Sequence, residues 1–248
     1  MKTVCLDSTD STNSWVALHE KELDPTSLVY CLNQTAGRGQ RGNSWESQPG
    51  MNITASLIFH PENFPAARQF AISEAIALAI VEFISLFGVE AKVKWPNDIY
   101  VGDRKICGIL VEHSVTGREI SRTIAGFGIN INQTRFLSDA PNPVSLAQIT
   151  GETYSLESCI AALGPILERH IQNLSHQESL HADFLRLLWR NDGHPYLFFD
   201  KKNNKPLHAF ISNVEPDGTL RLLSSDGATH TFAFKEVEFI LETPSDDC

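Results

Sequence analysis

Across residues 65–87 apolar side chains recur at helical spacing, at Phe70, Ile72, Ala75, Ile76, Leu78, Ala79, Ile80, Phe83, Ile84 and Phe87. So broad a stripe predicts a core helix lying against a sheet, with Pro65 in its first turn and Gly88 just past its end. Residues 156–174 and 176–191 carry one-sided patterns, the second through Leu180, Phe184, Leu187 and Leu188, and predict two further helices packed on the same body. Strand-like runs occupy 3–6, 28–32, 52–59 and 120–131, and Val144 opens a short element ending at Thr150. Residues 92–101 and 105–112 read as two extended runs joined at Gly102-Asp103-Arg104, a β-hairpin.

From Gly193 the pattern changes. Short strands at 194–199, 207–213, 220–223 and 229–234 alternate with Asn203-Asn204, Pro216-Asp217-Gly218 and Ser225-Asp226-Gly227. Turns of this chemistry at even spacing predict a small β-barrel. The chain therefore divides near residue 193, into 1–192 and 193–248, with no internal repeat and no low-complexity segment.

The length of 248 residues allows one large domain, or one with a small appendage, and 42% apolar residues supply a real core. A net charge of −10 argues against a broad nucleic-acid or anionic-membrane surface, which needs excess lysine and arginine. Cys5, Cys31, Cys107, Cys159 and Cys248 are odd in number and include no CxxC pair, so they read as reduced thiols. The first residues lack the layout of a signal peptide, and no apolar run reaches bilayer length. These features predict a soluble cytoplasmic protein. The nine histidines show no paired ligand spacing, so no structural metal is expected.

Several stretches interrupt the apolar pattern in ways that suggest chemistry. In Gln34-Thr-Ala-Gly37-Arg38-Gly39-Gln40-Arg41-Gly42-Asn-Ser-Trp45, glycines alternate with arginines and the run closes on a tryptophan. Such a backbone can turn its N–H groups toward an anion, the arginines add permanent charge, and the indole offers a face for a purine. A solvated surface loop explains that stretch alone about as well, and it is neither a P-loop nor a dinucleotide fingerprint. Asp10-Ser11-Thr12-Asn13 precedes a helical pattern and suits an N-cap, yet it holds more small polar groups than one cap uses. Trp95-Pro96-Asn97-Asp98 sets polar groups inside a strand, which predicts a β-bulge or a ligand site. Gly126 and Gly128 weaken a strand and mark a place where a ligand approaches the backbone. Lys105 alone would be read as an edge lysine kept in water.

Taken in order, the glycine loop, Lys94-Trp95-Pro96-Asn97-Asp98, Lys105-x-x-Gly108-Ile-Leu-Val-Glu112 and Gly126-x-Gly128-Ile-Asn130 resemble the biotin protein ligases, or biotin–[acetyl-CoA-carboxylase] ligases. The resemblance starts at Asp10-Ser-Thr-Asn13 and covers nearly the whole chain. It implies an α+β fold: a mixed β-sheet with helices mainly on one face, related to class II aminoacyl-tRNA synthetases, followed by a small SH3-like β-barrel. It also implies a two-step reaction. Biotin and ATP give biotinyl-5′-AMP, and a lysine of a biotin carboxyl carrier domain then takes the biotin. ATP and biotin would be substrates, with Mg²⁺ on the phosphates and no metal held by the protein.

By the same resemblance Ser11, Thr12, Asn13, Gln34 and Gly108 would contact biotin, and Arg38, Gly39 and Gln40 would close over it. Lys105 would hold the biotin carboxylate and the phosphate oxygens. Trp45, Asn97 and Asn130 would contact adenine, with Arg38 and Arg41 on the phosphates. Asp98 would orient or deprotonate the incoming lysine, so the catalytic set is Lys105, Arg38 and Asp98. The family's loop commonly carries arginine where this chain has Gln40, which predicts looser retention of the adenylate. Bifunctional members precede the ligase with a DNA-binding domain, and this chain reaches Ser11 almost at once, so the reading is a ligase without nucleic-acid or membrane partners. A homodimer paired through sheet edges is compatible with it. The rivals are a lipoate or octanoate ligase on the same fold and a non-catalytic binding module.

Overall fold

Period-two alternation gives the main sheet two unlike faces, and the chain order shows how. The computed structural model describes residues 1–137 and 142–241, with Arg41 described through its backbone alone. The chain opens with β1 (Lys2–Thr9), α1 (Thr12–His19) and β2 (Ser27–Gln34), then a two-stranded hairpin of β3 (Gly37–Arg38) and β4 (Ser44–Trp45). Next come β5 (Ile53–Phe59), α2 (Phe70–Ser85), β6 (Lys92–Lys94), β7 (Asp98–Val101), β8 (Arg104–Thr116) and β9 (Glu119–Ile129). After them follow α3 (Leu146–Thr150), α4 (Leu156–Gln172) and α5 (Gln177–Arg186). The last part holds β10 (Tyr196–Asp200), β11 (Lys205–Val214), β12 (Leu220–Ser224), β13 (Thr229–Phe232) and β14 (Val237–Phe239).

Seven strands form the main sheet in the order β1-β2-β5-β9-β8-β7-β6. Only the β1–β2 pair is parallel, so the sheet is mixed. Ile53, Ala55, Leu57 and Phe59 of β5 and Ala125, Phe127 and Ile129 of β9 belong to one large buried cluster with α2 and α4. Helix α2 lies between this face and α4 and α5, which accounts for its unusually broad apolar surface. Full burial of each large aliphatic or aromatic residue there stabilises the fold by roughly 1.5–3 kcal/mol. The alternate residues Ile58 and Ile124 pack under Val16 of α1 on the opposite face. Three long or central helices thus cover one side and α1 the other.

Three elements depart from the sequence pattern, each for a backbone reason. Helix α2 starts at Phe70, after a short 3₁₀ turn at Ala66–Arg68. Pro65 is held extended beside Glu119, and the Ala66 N–H donates to Arg118 O at 2.9 Å. Helix α5 ends at Arg186, well short of residue 191. Leu187 accepts from Val93 N and Trp189 N donates to Val93 O, both at 2.8 Å, so this segment covers the β6 edge of the sheet. The last region has five strands, one more than the pattern predicts, in the antiparallel order β13-β12-β11-β10-β14. Strand β14 is only three residues long, too short for alternation to announce it.

The two sheets share one apolar cluster. Trp95 Nε1 donates to Gly218 O at 2.8 Å, and its ring meets Phe234 edge-on at 6.3 Å. Gly218 has φ +89°, and a Cβ there would lie 2.6 Å from the Phe70 ring, so glycine is required twice over. Cys5 is exposed and Cys31, Cys107 and Cys159 are buried, all as free thiols, while Cys248 lies outside the described residues. Among the described residues no helix is long and apolar enough to cross a membrane.

Candidate active site

A cleft of about 880 Å³ opens on the α1 face of the main sheet, walled on one side by the β3–β4 hairpin and on another by the second sheet. Ser11, Thr12, Asn13, Gln34, Arg38, Gly39, Gln40, Trp45, Asn97, Asp98, Lys105, Gly108 and Asn130 all line it. The side chain of Arg41 lies outside the described part of the chain.

The floor is a network of small polar groups. Ser11 stands at the N-cap position of α1, yet its side chain makes no capping bond. Instead Thr12 N and Thr12 Oγ1 donate to Gln34 Oε1 at 2.9 and 3.3 Å, tying α1 to β2. Ser56 Oγ lies 2.7 Å from Thr12 Oγ1 and donates to Asn13 Oδ1 at 2.5 Å. Asn13 Nδ2 in turn donates to Glu112 Oε2 at 2.7 Å and to Leu110 O at 3.3 Å. The surplus beyond a helix cap is therefore spent on bonds between α1 and the sheet.

The two glycines of β9 make room for protein side chains. A Cβ at Gly126 would sit 2.2 Å from Asn13 Oδ1, and one at Gly128 would sit 2.2 Å from Trp45 Cε2. The Trp45 indole also lies 3.0 Å from where a Cβ of Gly108 would be. It therefore rests on a bare patch of β8 and β9. The sequence pattern pointed to a ligand approaching the backbone at these glycines; the groups that approach are the protein's own Asn13 and Trp45 side chains.

Charged groups are paired across the strands. Lys105 Nζ lies 2.7 Å from Asp98 Oδ1, both about one-fifth exposed. The run 92–101 is not one interrupted strand: residues 95–97 form the turn between β6 and β7 and line the cleft. The register irregularity lies beyond that turn, between Ile99 and Tyr100, setting Tyr100 opposite Lys105 and Asp98 opposite Gly108. Asn97 Nδ2 donates to Ile109 O at 2.5 Å and Ile109 N donates back to Asn97 O at 2.9 Å, which locks the turn onto β8. Arg38 Nη2 donates to Glu112 Oε2 at 2.8 Å, the oxygen that Asn13 also contacts. Lys94 Nζ sits 4.9 Å from the Tyr100 ring centroid and 5.4 Å from that of Phe239. Burial lowers the pKa of its ammonium, an effect that nearby Asp98 partly opposes.

Among the described residues, Gln40 Oε1, Trp45 Nε1, Asn130 Oδ1 and Arg122 Nε are buried side-chain atoms without a hydrogen-bond partner. The first three belong to residues lining this cleft. An unsatisfied buried polar atom costs about 1–3 kcal/mol, and such a concentration marks a place where ligand atoms complete the bonding. Asn130 shows the logic: its Nδ2 is anchored to Val144 O at 3.0 Å while Oδ1 has no partner. Sequence reasoning did not single out Ser56, Glu112 or Lys94 as site residues. The available signals were a hydroxyl inside a fully buried strand and a carboxylate in period-two register with Gly108.

A sequence model of the biotin/lipoate A/B protein ligase family matches residues 5–130. The bifunctional ligase/repressor BirA of Escherichia coli (strain K12) is 30% identical over 223 residues, covering 88% of this chain and 65% of the relative. This chain spans less than two thirds of the length of the bifunctional relatives it matches. The biotin–[acetyl-CoA-carboxylase] ligase of Paracoccus denitrificans is 31% identical over 171 residues, 66% of this chain and 70% of the relative. Among solved structures, the biotin protein ligase from Aquifex aeolicus in complex with biotin and ATP has the same fold, with a TM-score of 0.78 at 19% identity. That superposition covers 97% of this chain and 99% of the other. With over half its residues matched by the family model and a relative above 30% identity covered across more than two thirds of its length, this chain belongs to the biotin/lipoate A/B protein ligase family.

Proposed function

We propose that this chain is a biotin–protein ligase, which activates biotin with ATP and transfers it to a lysine of a biotin carboxyl carrier domain. In the first step a biotin carboxylate oxygen attacks the α-phosphorus of ATP, the bond to the bridging oxygen breaks, and pyrophosphate leaves. In the second, the acceptor amine attacks the carbonyl of biotinyl-5′-AMP, an amide forms, AMP leaves and the amine gives up a proton. The observation that carries this reading is the convergence of Lys105, Asp98, Arg38 and Trp45 with three unpartnered polar atoms in one cleft.

The chemistry accounts for those residue types. Two anions must meet, and in a partly dry site their repulsion amounts to several kcal/mol unless cations lie between them. Lys105, fixed by Asp98, is the cation placed to bridge carboxylate and phosphate. Arg38 and the 37–42 backbone cover the adenylate, and Arg41 extends that charge along the phosphates. Ser11, Thr12, Asn13, Gln34 and Gly108 hold biotin on the polar floor, and Trp45, Asn97 and Asn130 frame adenine. Asp98 also receives the acceptor lysine, orienting its amine once Lys105 turns to the phosphate. Mg²⁺ is assigned to the nucleotide's phosphates, whose charge it would help to neutralise. The boundary near residue 193, a cytoplasmic location and the absence of nucleic-acid partners belong to the same proposal.

The test mixes the protein with Mg-ATP, biotin and an apo carrier domain and follows the acceptor's mass. The expected result is one biotinyl group on the acceptor lysine, dependent on both ATP and biotin. No modification, or modification by lipoate or octanoate and not biotin, would overturn the proposal. Calorimetry with biotin, with and without ATP, separates a module that binds without catalysing.

A further inference from the structure

Five lysine and arginine side chains of the described residues line the cleft: Arg38, Lys94, Lys105, Lys201 and Lys235. Arg38 is bound to Glu112, Lys105 to Asp98 and Lys201 to Glu238. Lys94 and Lys235 have no carboxylate within 4 Å among the described residues. Lys235 Nζ lies 5.9 Å from the Phe234 ring centroid, whereas the Lys94 ammonium rests over two rings, Tyr100 and Phe239, beside Asp98. Cross-strand register places Lys94 directly opposite Asp98, and Asp98 opposite Gly108 on β8. Lys105 stands opposite Tyr100, further along β8, and its Nζ reaches back to Asp98 Oδ1 at 2.7 Å, so Lys94 on β6 and Lys105 on β8 flank Asp98 from the two neighbouring strands. Each lysine carries its charge on a flexible four-carbon stem, long enough to follow the phosphates of one bound nucleotide.

We infer that Lys94 is a second phosphate-binding cation, which holds the β- and γ-phosphates of ATP and then the departing pyrophosphate. The inference rests on the ligase reading above. As the bond between the α-phosphorus and the bridging oxygen breaks, the electron pair moves onto pyrophosphate and its negative charge grows. Lys105 is committed to the carboxylate and α-phosphate on the β8 side of Asp98, so the growing charge needs a counter-charge on the β6 side. An ammonium poised over aromatic faces in a partly desolvated pocket supplies one without first breaking an ion pair. Burial weakens the unliganded ammonium, and an arriving polyphosphate restores the stabilisation that Arg38, Lys105 and Lys201 already draw from their carboxylates.

Two half-reactions test this. Biotin-dependent adenylate formation is measured with varied ATP and with added pyrophosphate, and biotin transfer is measured separately from supplied biotinyl-5′-AMP. For Lys94→Met, which keeps the apolar stem over Tyr100 and Phe239, the KM for ATP and the inhibition constant for pyrophosphate should each rise about tenfold or more, the effect of losing one charge-assisted bond. Transfer from supplied adenylate should stay at the wild-type rate, and Lys94→Arg should restore most of the pyrophosphate affinity. If the methionine variant loses transfer as well, Lys94→Gln replaces it with the same readouts. Unchanged pyrophosphate inhibition, or an equal fall in both half-reactions for both neutral variants, overturns the inference. Wild-type protein that makes no adenylate at all sinks the ligase reading and this one with it, an outcome distinct from failure of the variants alone.

Discussion

The two faces of the main sheet are built from the same strands and behave oppositely. On the helix-covered face, Ile53, Ala55, Leu57 and Phe59 alternate with nothing but their own kind across to β9. On the other, Thr54, Ser56, Gly126, Gly128 and Asn130 leave a floor of hydroxyls, amides and bare backbone. Even the polar exception on the packed face is provided for. Glu74 of α2 is only 3% exposed, and its Oε1 lies 2.7 Å from His181 Nδ1, whose Nε2 lies 3.2 Å from Asn213 Oδ1. The cleft face instead leaves buried atoms of Gln40, Trp45 and Asn130 without partners. One face closes its accounts with protein, and the other waits for a ligand to do so.

Substitutions should separate the faces. Lys105→Met is expected to slow adenylate formation by about 100- to 1000-fold, as loss of a preorganised cation does, with little change in Tm; a rate near wild type, or a collapsed Tm, would break the distinction. Leu57→Ala on the packed face should remove about 2–5 kcal/mol of stability in denaturant melts while KM for biotin in the surviving folded fraction stays near normal. Gly128→Ala drives a methyl group into the Trp45 indole, so KM for ATP should rise about three- to tenfold with Tm nearly unchanged. An unaltered KM there would show that the indole's seat on β9 is irrelevant to nucleotide binding.

Smaller effects sharpen the same contrast. Gln40→Arg places a guanidinium in the loop, and release of biotinyl-5′-AMP, followed by loss of enzyme-bound label, should slow several-fold; equal rates refute it. The Glu74–His181 pair gives a pH signature. Burial lowers the His181 pKa, but bonding to Glu74 outweighs it and leaves the value raised above 6.5, while burial raises Glu74 above 4.5. Both groups hold protons more firmly in the folded state, so their contribution is full below the unfolded values and fades as pH rises through the folded ones. The stability advantage of wild type over His181→Gln should therefore shrink as pH rises above 6.5, the ordinary value of the imidazole. A gap that stays constant or widens contradicts that sign.

Much of this was readable before any coordinates. The breadth of the apolar stripe in residues 70–87 already required a sheet against it, while the helices α4 and α5 on its other side emerge only from the fold. The glycine loop, the Trp-Pro-Asn-Asp turn and Lys105 each allowed a bland explanation when read singly, and it is the fold that brings all three to one cleft. Other features depend on partners distant in sequence. Helix α5 stops because Val93 takes the backbone of Leu187 and Trp189, which no local propensity encodes. Glu112 reads as an ordinary strand-end carboxylate until Asn13 and Arg38, 99 and 74 residues away, arrive on the same oxygen. Lys94 is one of several lysines in its stretch until register sets it across from Asp98.

The Arg38–Glu112 contact also bears on how the cleft fills and empties. A guanidinium that already holds a carboxylate accepts a ligand's anion by exchange, giving up one bond as it makes another. Net affinity then falls below what a tally of positive groups suggests, and a departing anion is helped out by the carboxylate returning. On the ligase proposal, that exchange favours turnover over tenacity.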